Sequence, residues 1–222
     1  MTLALDHLVV AARTLSEGAA WCEATLGVAA GSGGRHAQFG THNLVAKIAT
    51  ATFPLAYLEI IAIDADADAA QRLPRPRWFA LDEPAMRARL DSGPRLVHWV
   101  ARTDALADAL AAFVAAGHDP GLPLHAWRDT PRGRLEWQIS VPQDGALACG
   151  GALPTLIAWR GTHPAHALAP SALALRSLQL RGVPAPIAAL LSVPGVHVDT
   201  APGAALRAEL ETPRGLVTLQ ST

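Results

Sequence analysis

Cysteine is almost missing from this chain. Cys22 and Cys149 stand far apart and form no Cys-x-x-Cys pair. That excludes a disulfide framework and favours a reducing compartment. Lysine is scarcer still: Lys47 is alone against seventeen arginines. With so much alanine, this is the composition of a GC-rich bacterial genome. A charge surplus is also lacking. The net charge is −1 with acids and bases mixed, which leaves no electrostatic footprint for nucleic acid or an anionic membrane. No apolar run is long enough to span a bilayer. The longest, 146-ALACGGALPTLIAW-159, contains Gly and Pro. The N-terminus has no positive segment, and Asp6 and His7 interrupt its apolar stretch, so it does not read as a signal peptide. These absences predict a soluble, cytoplasmic protein.

Catalytic signatures are equally sparse. There is no Gly-x-Ser-x-Gly elbow and no Walker sequence. The run 31-GSGG-34 precedes a strand, not a helix, so it reads as a loop rather than a phosphate cradle. Cys149 has no partner at a recognisable spacing that would mark a nucleophile.

What is present is hydrophobic material and a repeat. Half of the 222 residues are hydrophobic, enough for a core without staples. Residues 3–10 form a strand pattern. Thr14 can cap a helix with Glu17 completing a capping box, and Leu15, Ala19, Cys22 and Leu26 follow helical spacing up to Gly27. Strands at 35–39 and 43–48 flank the turn signal 40-GTHN-43, and 55–63 forms a further strand. The stretch 95-RLVHWVARTDALADALAAFVAAG-117 repeats the plan: a strand with His98, then Ala-Arg-Thr as at Ala12-Arg13-Thr14, then an amphipathic helix ending at Gly117. Strands at 122–128, 134–141 and 153–160 complete this second unit. Aligning the two Ala-Arg-Thr triplets leaves His7 and His98 two residues apart in register. Two residues is one strand period, so both side chains face the same side. A shorter third copy follows, with a strand at 173–181, a helix near 185–192 and a hairpin of 205–211 and 216–221. Its 212-TPRGLVTLQST-222 echoes 130-TPRGRLEWQIS-140.

The pieces 5-LDHLVV-10, 33-GGRHAQFGTHN-43, 57-YLEIIAID-64, 78-WFALD-82, 94-PRLVHWVART-103, Trp137, 153-LPTLIAW-159 and 163-HP-164 run in order along the chain. The series resembles the vicinal oxygen chelate superfamily, most closely its glyoxalase-like branch. The resemblance implies an α+β fold in which paired βαβββ modules curl their mixed sheets into a cup. Residues 1–161 would hold two such modules, 3–63 and 95–160, joined by an irregular connection at 64–94. Residues 162–222 would form a partial third module packed on the pair. It also implies that ligands of a metal come from the first and last strands of each unit.

Strand parity places a constellation in that cup. If Leu58 and Ile60 meet the helix, Glu59 points inward, and the same logic turns His7 and His98 inward. This trio matches the superfamily's ligand positions and can hold a divalent metal such as Zn, Ni, Mn or Fe, with positions open for water or substrate. The metal would act as a Lewis acid on an oxyanion or activate a bound oxygen. A fourth ligand is lacking, because the last strand of unit two offers Ile157 or Ala158. Parity also turns Lys47 inward, where it would either pair with Glu59 or serve as a base of lowered pKa. His36, Thr41 and Asn43 flank the turn as candidate ligand contacts, although Asn43 also suits a turn backbone. Trp137 is the aromatic best placed to touch a ligand. His42, His118, His163, His166 and His197 read as loop residues.

Three functions stay open. The first is small-molecule chemistry of the lyase, isomerase or dioxygenase class, metal-assisted if the trio is a site. The second is metal-free binding or sequestration of a small molecule. The third is an interaction protein with a vestigial cup. A small-molecule ligand is the expected partner, a homodimer is compatible with the reading, and neither nucleic acid nor membrane is expected.

Overall fold

The computed structural model describes residues 2–130 and 133–221. Pro131 and Arg132, within the echoed hairpin sequence, and Thr222 at its end lie outside the described residues.

The first unit runs β1 (Ala4–Ala11), α1 (Leu15–Leu26), β2 (Gly31–His36), β3 (Thr41–Lys47) and β4 (Tyr57–Ile63). The Thr14 hydroxyl accepts the Glu17 N–H, and Gly27 closes the helix in the left-handed region at φ 74°. α2 (Pro84–Leu90) lies in the connection. The second unit repeats the order with β5 (Arg95–Arg102), α3 (Leu106–Ala115), β6 (Leu122–Thr130), β7 (Gly133–Val141) and β8 (Thr155–Arg160). The chain then continues through β9 (Ala174–Arg181), α4 (Ala185–Ala188), β10 (Val196–Asp199), β11 (Leu206–Thr212) and β12 (Gly215–Gln220).

The pairing shows the repeat as a structural one. β1 pairs with β4 in parallel, as β5 pairs with β8, and β3–β4 and β7–β8 are both antiparallel. The antiparallel pair β1–β5 joins the units into one eight-stranded sheet ordered β2-β3-β4-β1-β5-β8-β7-β6. Its outer face carries Leu8, Val10, Leu58, Ile60 and Trp99. These side chains share one core with Cys22 and Leu26 of α1, Phe113 of α3, and Leu178, Leu180 and Leu206 of a second, four-stranded sheet ordered β10-β9-β11-β12. A second core on the inner face joins Val9, Ile61, Val100, Trp137 and Ile157 to Trp78 and Phe79 from the connection. Among the described residues, no helix is long and apolar enough to cross a membrane.

Three sequence expectations change. The 31-GSGG-34 run is not a loop: Gly31 pairs with Val45 and Ser32 with Leu44 in β2, while Ala37–Phe39 forms a 3-10 turn closed by Gly40. The connection is less irregular than its composition suggests, because Pro84 starts α2 at a position that needs no N–H donor. The helix expected near 185–192 shortens to one turn, and the unforeseen β10 joins the small sheet.

Candidate functional site

The inner face of the sheet encloses a cavity of about 520 Å³, counting its mouth. The first unit supplies most of its polar side: His7 from β1, His36 from β2, Asn43 from β3, and Tyr57 and Glu59 from β4, to which β6 of the second unit adds Arg128. Apolar and aromatic walls come from Trp137, Ile139, Ile157 and Trp159 of the second unit, and from Trp78 and Phe79. Phe79 and Ala80 adopt left-handed backbone, φ 59° and 56°, where the connection folds over the cup.

β1 reaches the site through a bulge. Leu5 pairs with Ala101 and His7 with Val100, so Asp6 is left without a partner on β5. Asp6 is fully buried. Its Oδ1 meets Nδ1 of His7 at 2.6 Å, while Oδ2 accepts from Trp159 Nε1 and His163 Nε2, each at 2.9 Å. His163 Nδ1 accepts the Ala165 N–H, which places that ring's proton on Nε2, toward Asp6. Burial alone would raise the Asp6 carboxyl. The hydrogen bonds from His163 and His7 outweigh burial and hold it well below the usual carboxylate range.

With Nδ1 committed to Asp6, His7 turns Nε2 into the cavity. Glu59 Oε2 lies 3.6 Å away, beyond hydrogen-bond distance. The His7 ring is stacked on Tyr57 at 4.6 Å. Burial, then the charges of Asp6 and Glu59, push the Tyr57 phenol well above its ordinary pKa. Glu59 is steadied from the other side: Asn43 Nδ2 donates to Oε1 at 2.5 Å, and Asn43 Oδ1 accepts the Gly34 N–H at 2.7 Å. Asn43 therefore both braces β2 and holds a cup carboxylate. His36 packs edge-on to Trp78 and meets Thr41 Oγ1 at 3.2 Å. Burial lowers its pKa to about 3, so this ring is neutral.

The trio proposed from sequence is not brought together. His7 and Glu59 meet, but His98 does not join them. Its Nε2 accepts the Thr155 N–H at 3.0 Å and lies 2.9 Å from Thr155 Oγ1, while Nδ1 bonds the Gly151 carbonyl at 3.2 Å. Both ring nitrogens are thus engaged, one by the 3-10 turn that ends at Gly151 and the other by Thr155 at the start of β8. Burial lowers the His98 pKa to about 3. Among the described residues no group of three or more His, Cys, Asp or Glu side chains could hold a metal ion. A donor pair of His7 and Glu59 does not fit a metal centre of the fold family's kind. Lys47 stands at the far end of β3 opposite Tyr57. Among the described residues no ion pair joins it to Glu59, and it does not line the cavity. Thr41 is buried against His36, also off the lining. Trp137 does line it.

Sequence reasoning passed over Asp6, His163 and Arg128. Strict alternation sends Asp6 and His7 to opposite faces, and the bulge that overrides it leaves no sequence signal. His163, taken as a loop residue, is buried on Asp6. Arg128 was legible, because Leu124, Ala126 and Arg128 alternate along β6 with Ala126 buried.

The family model described as a glyoxalase-like domain matches residues 5–192. Among solved structures, a hypothetical protein from Staphylococcus aureus superposes with a TM-score of 0.55 at 14% identity, over 81% of this chain and 70% of its own. A methylmalonyl-CoA epimerase from Mycobacterium tuberculosis gives 0.41 at 14% identity, over 74% and 91%. A variant of the Streptomyces coelicolor methylmalonyl-CoA epimerase in complex with 2-nitronate-propionyl-CoA gives 0.43 at 18%, over 73% and 99%. No curated protein matches the chain.

Proposed function

Because the chain belongs to the glyoxalase-like domain family, we propose that its cup binds a small organic molecule and moves a proton on it without a metal. His7 is the base, Asp6 orients it, and Glu59 is the second proton-transfer group. The observation that carries this reading is the state of the His7 ring. One nitrogen is fixed by a buried carboxylate, and the other opens on the cavity beside Glu59 with no hydrogen-bond partner among the described residues. A buried carboxylate behind an imidazole sets its tautomer and stabilises the imidazolium that forms when Nε2 takes a proton. In its protonated form Glu59, held at Oε1 by Asn43, can give its proton to a neighbouring atom of the same ligand as His7 takes one. Two such groups on one ligand suit the isomerase or lyase class. Dioxygenase chemistry would need a redox centre, for which two donors are too few. Lys47 takes no part in this proposal. His36 and Trp137, with Trp78, shape the ligand's apolar surroundings.

The test is deuterium wash-in from D2O, followed by proton NMR on carbonyl compounds with exchangeable α-protons, phenylpyruvate among them. Wild type should accelerate exchange of a bound compound. His7→Asn and Glu59→Gln should each lose about 10²- to 10⁴-fold, the usual worth of positioned acid–base catalysis. Binding without faster exchange would contradict the proposal and favour sequestration. The aromatic lining of Trp78, Phe79, Trp137 and Trp159 supports that second reading equally well.

A further inference from the structure

The 31-GSGG-34 run and Arg128 belong to one feature. Arg128 lines the cavity from β6, at the opposite edge of the curled sheet from β2. Its guanidinium lies against the backbone of Gly34. A Cβ built there would sit 2.4 Å from Nη1 and 3.0 Å from Cδ of Arg128. A Cβ on Gly33 would meet Asn43 Oδ1 at 2.0 Å and its backbone oxygen at 2.4 Å. The missing side chains at 33 and 34 are therefore what admits Asn43 and Arg128 to the cup. Once there, Arg128 is half-buried and has few partners among the described residues. Its one hydrogen bond among the described residues is long, 3.4 Å from Nη1 to Asn43 Oδ1, and it makes no ion pair among them.

We propose that Arg128, seated on the glycine backbone of β2, is the anchor for the carboxylate of a small apolar or aromatic acid. This rests on the reading of the cup as a ligand site. A planar guanidinium fork matches a carboxylate in two parallel hydrogen bonds. Charge count selects a monoanion. Arg128 is the one lysine or arginine among the lining residues, and Glu59 is the one carboxylate there. A dianionic phosphate would carry one charge more than Arg128 can match, whereas a single carboxylate is matched by Arg128 alone. The Asn43 amide stands between Arg128 and Glu59, so the acid's charged end and its reacting end have separate places. The aromatic walls set the class of the remainder, an apolar or aromatic body.

The test compares phenylacetate with its uncharged amide, phenylacetamide, by titration calorimetry. Wild type should bind the acid at least about 10-fold more tightly, the worth of a charged hydrogen-bonded contact. Arg128→Met should abolish that preference. Gly34→Ala should weaken acid binding severalfold while leaving amide binding nearly unchanged, because the new methyl displaces only the flexible end of Arg128. Thermal midpoints of both variants check that they fold. Equal binding of acid and amide by wild type overturns the anchor while the cup remains a ligand site. Binding of neither overturns both. Retention of the acid preference in Arg128→Met also overturns the anchor.

Discussion

The two units of the eight-stranded sheet share one topology but differ in what they do with a histidine. In the first, His7 is held at Nδ1 by Asp6 and opens Nε2 to the cavity. In the second, His98 faces the same side, yet both its nitrogens are bonded to the backbone and side chain around Thr155 and Gly151. A bulge accompanies each. Asp6 drops out of register beside His7, and the pairing skips Val97 next to His98. The first bulge brings a carboxylate behind the ring and the second does not. Position in a duplicated fold thus offers a place for chemistry. Under the proposed function, the residue one step away decides whether the imidazole works on a ligand or ties down a strand.

The contrast is broken most strongly by exchanging the roles. His7→Asn should keep the fold and lose the proton wash-in, the largest effect expected. His98→Ala should do the reverse. It leaves the buried Thr155 N–H and Gly151 carbonyl without their partner, at about 1–3 kcal/mol each. Chemical denaturation should read that loss, while exchange per folded molecule stays near wild type. If His98→Ala abolished exchange in protein that is still folded, the two histidines would share one site and the contrast would fail.

Much of this was open to inspection in the sequence. The repeated strand, Ala-Arg-Thr and helix fixed the two units. The alternation of Leu58, Glu59 and Ile60 put Glu59 on the inner face. Thr14, Glu17 and Gly27 marked the first helix because caps are local hydrogen-bond chemistry. What stayed hidden depends on other segments. Asp6 needed a bulge set by pairing with β5. His98 needed Thr155, 57 residues on. The role of 31-GSGG-34 needed Arg128 lying across the sheet edge.

Acidification gives a smaller effect that sharpens the same comparison. His36 and His98, one in each unit, have folded pKa values near 3 against an ordinary 6.5. The unfolded chain takes up these protons first as pH falls. Stability is therefore full above about pH 6.5 and declines from there toward pH 3, by up to about 1.4 kcal/mol per pH unit for each ring. Asp6 contributes stability above its unfolded value, near 3.8, that is lost as pH falls further toward its depressed folded pKa. Urea midpoints measured from pH 7 to pH 4 should fall steadily, and His36→Gln should flatten the slope. A midpoint flat across that range would contradict the burial of both rings as neutral species.

The most direct test of the central claim is long-range ¹H–¹⁵N NMR of the histidine rings, with and without phenylacetate. If the claim holds, the His7 proton lies on Nδ1, toward Asp6, and the ligand shifts the signal of its Nε2. His98 should carry its proton on Nδ1, toward Gly151, and stay unmoved by ligand. A His7 proton on Nε2 with Nδ1 bare, or a ligand shift at His98 as large as that at His7, would contradict it.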